Sequence, residues 1–164
     1  MKPLALAAAM SVLASHAVAQ GCDLSNITHG RELHEALSRR AVEIVDRAST
    51  EGGGDDAPLS RLVRPEAVFN LGAGDVGGPL PDGPAGARAL AATMRASSFR
   101  FYGWDYMNMP VDACAPQKVT VEFVDEISGR SSQVEFAFEE GRLVSARGWQ
   151  RSFSTGWLPT DRQP

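Results

Sequence analysis

Between positions 28 and 48 the apolar residues fall three and four apart. Leu33, Leu37, Ala41, Ile44, Val45 and Ala48 form one stripe, the spacing of a helix with a single buried face. Thr28 stands where an N-cap is preferred. Glu35 with Arg39 and Glu43 with Arg47 are acid-before-base pairs four apart. On an exposed helix face such pairs contribute roughly 0.2–0.5 kcal/mol each. The stretch STEGGGDDAP, residues 49–58, then breaks the pattern. A short helix is predicted over 58–63, with Asp56 as its cap and Arg64-Pro65 as its stop, because a residue before proline is pushed out of helical geometry. A strand over 67–71, a Gly/Pro-rich loop and a second long helix over 84–97 follow, the helix marked by Ala87, Leu90, Ala91 and Met94.

Beyond Ser98 the period changes from helical to two. Residues 99–109 read as an aromatic strand or strand pair. Val119, Val121 and Phe123 alternate in a strand over 118–126, and Val134, Phe136 and Phe138 in one over 133–139. Residues 142–153 make a further strand. Ser128-Gly129 and Glu140-Gly141 supply the turns between them. Helices first and an antiparallel meander afterwards predict an α+β fold with the helices on one sheet face. One domain over 20–158 accounts for the pattern, with a disordered tail over 159–164.

The N-terminus changes the picture of where this domain works. Lys2, the apolar run from Leu4 to Leu13 and the small-x-small triplet Ala17-Val18-Ala19 have the form of an export signal over 1–19. The run is too short to span a bilayer, which takes roughly 20 residues. Without Lys2 the 16 basic residues become 15 against 20 acidic, a net charge of −5, and nothing in that balance suggests nucleic acid as a partner. The arginine bias, with Lys118 as the one lysine after position 19, fits a bacterial protein of the periplasm or beyond. Two cysteines in an oxidising compartment, Cys22 and Cys114, read as one disulfide. Cys22 as the lipidated residue of a lipoprotein is the competing reading. Its preceding residues, Ala19 and Gln20, do not suit a lipobox, and it leaves Cys114 without a partner.

Gly72-Ala73-Gly74-Asp75-Val76-Gly77 is formally the G-x-G-x-x-G of dinucleotide-binding proteins. The motif works when its last glycine opens a helix whose amides meet the pyrophosphate. Here Gly78-Pro79-Leu80-Pro81 follows, and no helix runs through two such prolines. The glycines are expected to serve as loop residues with positive φ, and no dinucleotide or other cofactor is expected. His29 and His34, five apart, share no helix face and have no cysteine pair or carboxylate at ligand spacing, so no metal is expected either.

The order of elements resembles the nuclear-transport-factor-like superfamily, which includes SnoaL-like and ketosteroid-isomerase-like proteins. The likeness rests on the first helix, the junction LSRLVRPEAVFNLG, the helix GARALAATMRAS and the terminal meander. It implies a cone, with the N-terminal helices packed in a curved antiparallel sheet and an apolar cavity at one end, serving isomerases, hydrolases, dehydratases and non-enzymatic binders alike. A homodimer through the sheet is a further implication. No catalytic motif of the family is matched here, and fold alone does not decide function.

The densest chemistry is FRFYGWDYMNM, residues 99–109. In an extended chain Arg100, Tyr102, Trp104, Tyr106 and Asn108 share one face, while Phe101, Asp105, Met107 and Met109 share the other. Such aromatics serve equally as core, as pocket lining or as interface anchors. Trp149 alternates with Leu143 and Phe153, so Phe101, Trp104, Trp149 and Arg147 are candidate ligand contacts, Trp149 closing the cavity mouth. An indole between Arg147 and Arg151 also fits a surface cation–π stack. Two functions stand. The first is an exported binding domain, not an enzyme, for a small apolar molecule or a protein partner. The second is a SnoaL-like enzyme with Asp105 as base, its pKa raised by burial, and Tyr102 or Tyr106 as polariser.

Overall fold

The computed structural model of the protein describes residues 22–50, 57–73, 76–102 and 110–153. The expected export signal, the Asp56 cap and the tail lie outside the described residues, as do Trp104, Asp105 and Tyr106.

Helix α1 spans Gly30–Ser49 and buries the predicted stripe, Leu33, Leu37, Ala41, Ile44, Val45 and Ala48. Its N-cap is His29, which makes no side-chain cap. Thr28, the expected cap, is engaged elsewhere: its carbonyl accepts the Val111 N–H at 3.1 Å beside a His29–Pro110 bridge. Helix α2 (Ala57–Leu62) hands the chain directly to β1 (Val63–Ala73). That strand is longer than the predicted 67–71: it begins at Val63, and its ladder to β5 has an irregularity between Val63 and Val68. Pro65, which has no N–H to give, falls inside that gap. Helix α3 runs over Gly83–Met94, and Arg95 ends it in the left-handed region (φ 49°), its N–H bonded to Ala91 O at 3.0 Å.

Four strands complete an open sheet in the order β1-β5-β4-β3-β2. They are β2 (Ser98–Phe101), β3 (Gln117–Asp125), β4 (Arg130–Glu139) and β5 (Arg142–Ser152). The ladders β2–β3, β3–β4 and β4–β5 are antiparallel, as expected of a meander. The first strand joins β5 in parallel, so the α+β sheet is mixed. Glu140 and Gly141 both take positive φ (51° and 74°) in the β4–β5 turn, the backbone that matches the twist of a two-residue hairpin.

The helices cover one face of the sheet. Leu37 and Ile44 of α1 and Leu90 and Met94 of α3 meet Phe69, Val121, Phe136, Phe138 and Leu143, all buried. Gly86 lets α3 approach this closely, since a Cβ there would collide with Pro81 O and the Phe69 ring. The N-terminus is fastened at the far end. Cys22 and Cys114 form the expected disulfide, 92 positions apart with Cα atoms 5.8 Å apart. The Arg40 guanidinium forks onto Asp23 at 2.9 and 2.7 Å and reaches Gly141 O at 2.7 Å.

The glycine motif has a different structural reason from the one expected. Gly72 lies in β1, opposite Trp149, and neither it nor Gly77 nor Gly78 has positive φ. The chain doubles back after β1: Leu71 N–H donates to Gly78 O at 2.8 Å and Leu80 N–H to Phe69 O at 3.0 Å. A side chain on Gly78 would strike the Leu71 carbonyl. Gly72 and Gly78 therefore allow close packing beside the sheet edge, Gly77 faces open space, and no helix starts among residues 76–80.

Candidate functional site

On the helix side of the sheet an aromatic row runs outward from the core. Phe136 on β4 is fully buried, Phe123 on β3 is 3 % exposed, and Phe99 on the edge strand β2 is 49 % exposed. Phe123 meets Phe136 edge-on at 6.0 Å. Phe99 lies opposite Phe123 in the ladder, and its ring is 5.3 Å from that of Phe101. The row emerges because β2 is short and, among the described residues, is the last strand of the sheet on this side.

Between this edge, α1 and the end of α3 lies an open groove of about 560 Å³. Val42, Val45, Ala91, Phe99, Phe101 and Phe123 supply its apolar walls; Arg39, Glu43, Asp46 and Arg95 stand among its polar lining. Its β2 wall is held in place. Ser97 N–H and Oγ both donate to Val124 O, at 2.8 and 3.1 Å, and Ser97 Oγ accepts the Glu126 N–H at 3.2 Å. Near it Asp125 is buried and closes the β3–β4 turn, accepting from Ile127 N–H, Ser128 N–H and Ser128 Oγ at 3.0, 3.1 and 2.6 Å. The Ser128 hydroxyl is the main cause holding the Asp125 carboxyl below its ordinary pKa, with the Ser128 amide next.

The expected ligand contacts divide between two faces. Phe101 lines the groove. Tyr102, the next residue, points the other way and donates its hydroxyl to Glu122 Oε2 at 3.1 Å. Burial first, and then this hydrogen bond, raise the Tyr102 pKa above the ordinary phenol value. Glu122 is itself buried, and it also receives Arg151 at 3.5 Å. Within β3 it reads as an ordinary outward-facing strand acid, and no local signal marks it.

Trp149 does not close the groove. The β4–β5 ladder steps from Phe138–Leu143 to Ala137–Ser145, a bulge that adds one residue on β5. Beyond it the alternation is reversed: Ala146, opposite Phe136, joins Leu143 on the buried face, while Trp149 pairs with Gln133 on the other. Its indole covers Gly72 and remains 49 % exposed. Arg147, opposite Glu135, shares this outer face. Of the groove residues, Phe99 and Phe123 were discoverable by strand pairing, since alternation places Phe99 with Phe101. Val42 and Val45 belong to the helix stripe and its border, and nothing local separates groove lining from core.

Among the described residues no group of three His, Cys, Asp or Glu could hold a metal ion. His34 is partly buried, and that burial lowers its pKa.

No protein-family model matches the chain, and no curated protein matches it. Similar arrangements occur among solved structures. A protein of unknown function from Mesorhizobium loti, described as NTF2-like, has 16 % identity over 74 % of this chain and 93 % of its own, with a TM-score of 0.46. An NTF2-like protein of unknown function from Methylobacillus flagellatus has 13 % identity, coverage of 72 % and 91 %, and a TM-score of 0.45. A protein of unknown function with a cystatin-like fold from Methylobium petroleophilum has 15 % identity, coverage of 80 % and 84 %, and a TM-score of 0.44.

Proposed function

We propose that this chain is a small-molecule-binding domain and that the groove beside β2 takes an uncharged, largely apolar ligand. The observation that carries this reading is the aromatic row Phe136, Phe123, Phe99, in which a continuous apolar surface leaves the core and ends half exposed in a groove. A ligand covering Phe99 removes apolar surface from water at about 25 cal/mol per Å². The polar groups around it fix orientation. The form of the N-terminus and the Cys22–Cys114 bridge support a working place in an oxidising compartment outside the cytoplasm.

The enzymatic reading needs an acid–base set in the groove. Tyr102 is committed to Glu122 on the other face, and Asp105 and Tyr106 lie outside the described residues. The binding reading rests instead on the aromatic row that ends in the groove.

Titration with N-phenyl-1-naphthylamine, a neutral apolar fluorophore, tests it. Saturable enhancement is expected, weakened about tenfold or more in Phe99→Asp, which places a charge where an apolar contact is needed. Absence of saturable binding, or equal binding by Phe99→Asp, overturns the proposal.

A further inference from the structure

Arg95 stands where α3 hands the chain to β2, and it lines the groove. Its backbone takes φ 49° and ψ 40°, the left-handed conformation in which a helix end usually carries glycine. A Cβ in that conformation costs conformational energy that glycine avoids. The side chain is not held by the fold in return: it makes no hydrogen bond or ion pair among the described residues. Its charge is nevertheless placed. The Ser128 hydroxyl, the Ser128 amide and the Ile127 amide lower the Asp125 pKa most, and the Arg95 charge adds to them. Asp125 and Phe123, two apart on β3, share the helix side of the sheet, so the guanidinium near Asp125 lies on the groove's side. The other charged groups of the lining are engaged or acidic. Arg39 forks onto Glu35 at 3.1 and 2.8 Å, and Glu43 accepts the Arg47 Nε–H at 2.8 Å. Arg95 is therefore the groove's uncommitted cationic donor among the described residues.

We infer that Arg95 takes a carbonyl oxygen of the ligand, so that the groove selects an aromatic ketone over the matching hydrocarbon. This rests on the apolar-groove reading above and adds the chemical class of the ligand to it. The charge balance favours a neutral acceptor over an anion. Arg39 and Arg95 are matched in the lining by Glu43 and Asp46, and the buried Asp125 is close by. A carboxylate entering there meets no net positive charge, while a carbonyl still gains a hydrogen bond from a charged donor. The left-handed backbone is then the cost of placing a guanidinium where glycine would leave none.

The probes are 2-acetylnaphthalene, 2-isopropenylnaphthalene, which has a methylene in place of the carbonyl oxygen, and sodium 2-naphthoate. Each is titrated against bound N-phenyl-1-naphthylamine in the parent and in Arg95→Gly. That substitution suits the left-handed backbone and should hold or raise the thermal midpoint. The affinity of the ketone relative to the alkene is expected to fall about tenfold in Arg95→Gly, the effect of losing one hydrogen bond to a charged group. Naphthoate should bind the parent more weakly than the ketone. A ketone-to-alkene ratio that is the same in parent and variant overturns the role of Arg95 and leaves the groove standing. Tighter binding of naphthoate than of the ketone, or a ketone that fails to displace the bound fluorophore, overturns it equally. If the fluorophore itself does not bind saturably, the groove reading falls and the role of Arg95 with it.

Discussion

The Trp149 indole fills the space that a side chain at Gly72 would need. The two residues pair across the parallel β1–β5 ladder, and a Cβ built on Gly72 would collide with Cζ3 and Cε3 at the edge of the six-membered ring. The glycine is required by its neighbour, since its φ is not positive. Gly72→Ala should displace the indole and destabilise the protein by about 1–3 kcal/mol, the usual range for overpacking. In a Trp149→Ala background the same change should have almost no effect. Urea unfolding of the four members of this cycle measures the coupling, and additive effects would refute the contact.

The Cys22–Cys114 bridge closes a loop spanning most of the fold. Replacing both cysteines by serine should lower stability on the order of 4 kcal/mol, by the loop-entropy account. Thiol titration of denatured, unreduced protein should find no free sulfhydryl, and two after reduction.

Asp125 makes stability depend on acidity. Its folded pKa lies below the ordinary 3.8 because the Ser128 hydroxyl, and after it the Ser128 amide, bind the carboxylate. A depressed carboxyl pKa stabilises the fold fully above the unfolded value, and that contribution is lost as pH falls through the folded value. Asp125→Asn should therefore be less stable than the parent at neutral pH, with the gap narrowing below about pH 4. Denaturation midpoints across an acid series check this. A gap independent of pH would show that the carboxylate charge is irrelevant.

Core and groove phenylalanines should respond differently. Phe136→Ala, at full burial, should destabilise by about 3–5 kcal/mol. Phe99→Ala, at half exposure, should change stability by about 1 kcal/mol or less while weakening the neutral probe. Thermal unfolding and fluorescence titration on the same samples separate the two roles.

Much of this arrangement was legible because it depends on short-range periodicity. The α1 stripe, the alternation at Val119, Val121 and Phe123, and the Glu140-Gly141 turn are local patterns, and the structure places each where the pattern predicts. The disulfide followed from a count of two. Other features depend on partners distant in the chain. Nothing near Val68 announces that β1 will lie parallel to β5. The bulge between Leu143 and Ala146 adds one residue and so moves Trp149 to the opposite face from that given by simple alternation. Phe99 resembles Phe123 in sequence; its exposure follows from its place on β2, the last strand of the sheet among the described residues. Gly72 seemed a loop residue until its cross-strand neighbour was known.

The groove is tested most directly by mapping N-phenyl-1-naphthylamine onto the protein with carbon-13 methyl and aromatic NMR signals. Saturable shifts confined to Val42, Val45, Phe99, Phe101 and Phe123, with Trp149 unmoved, are the predicted result. Shifts centred on Trp149, or none that saturate, would contradict the assignment of this groove as the apolar ligand site.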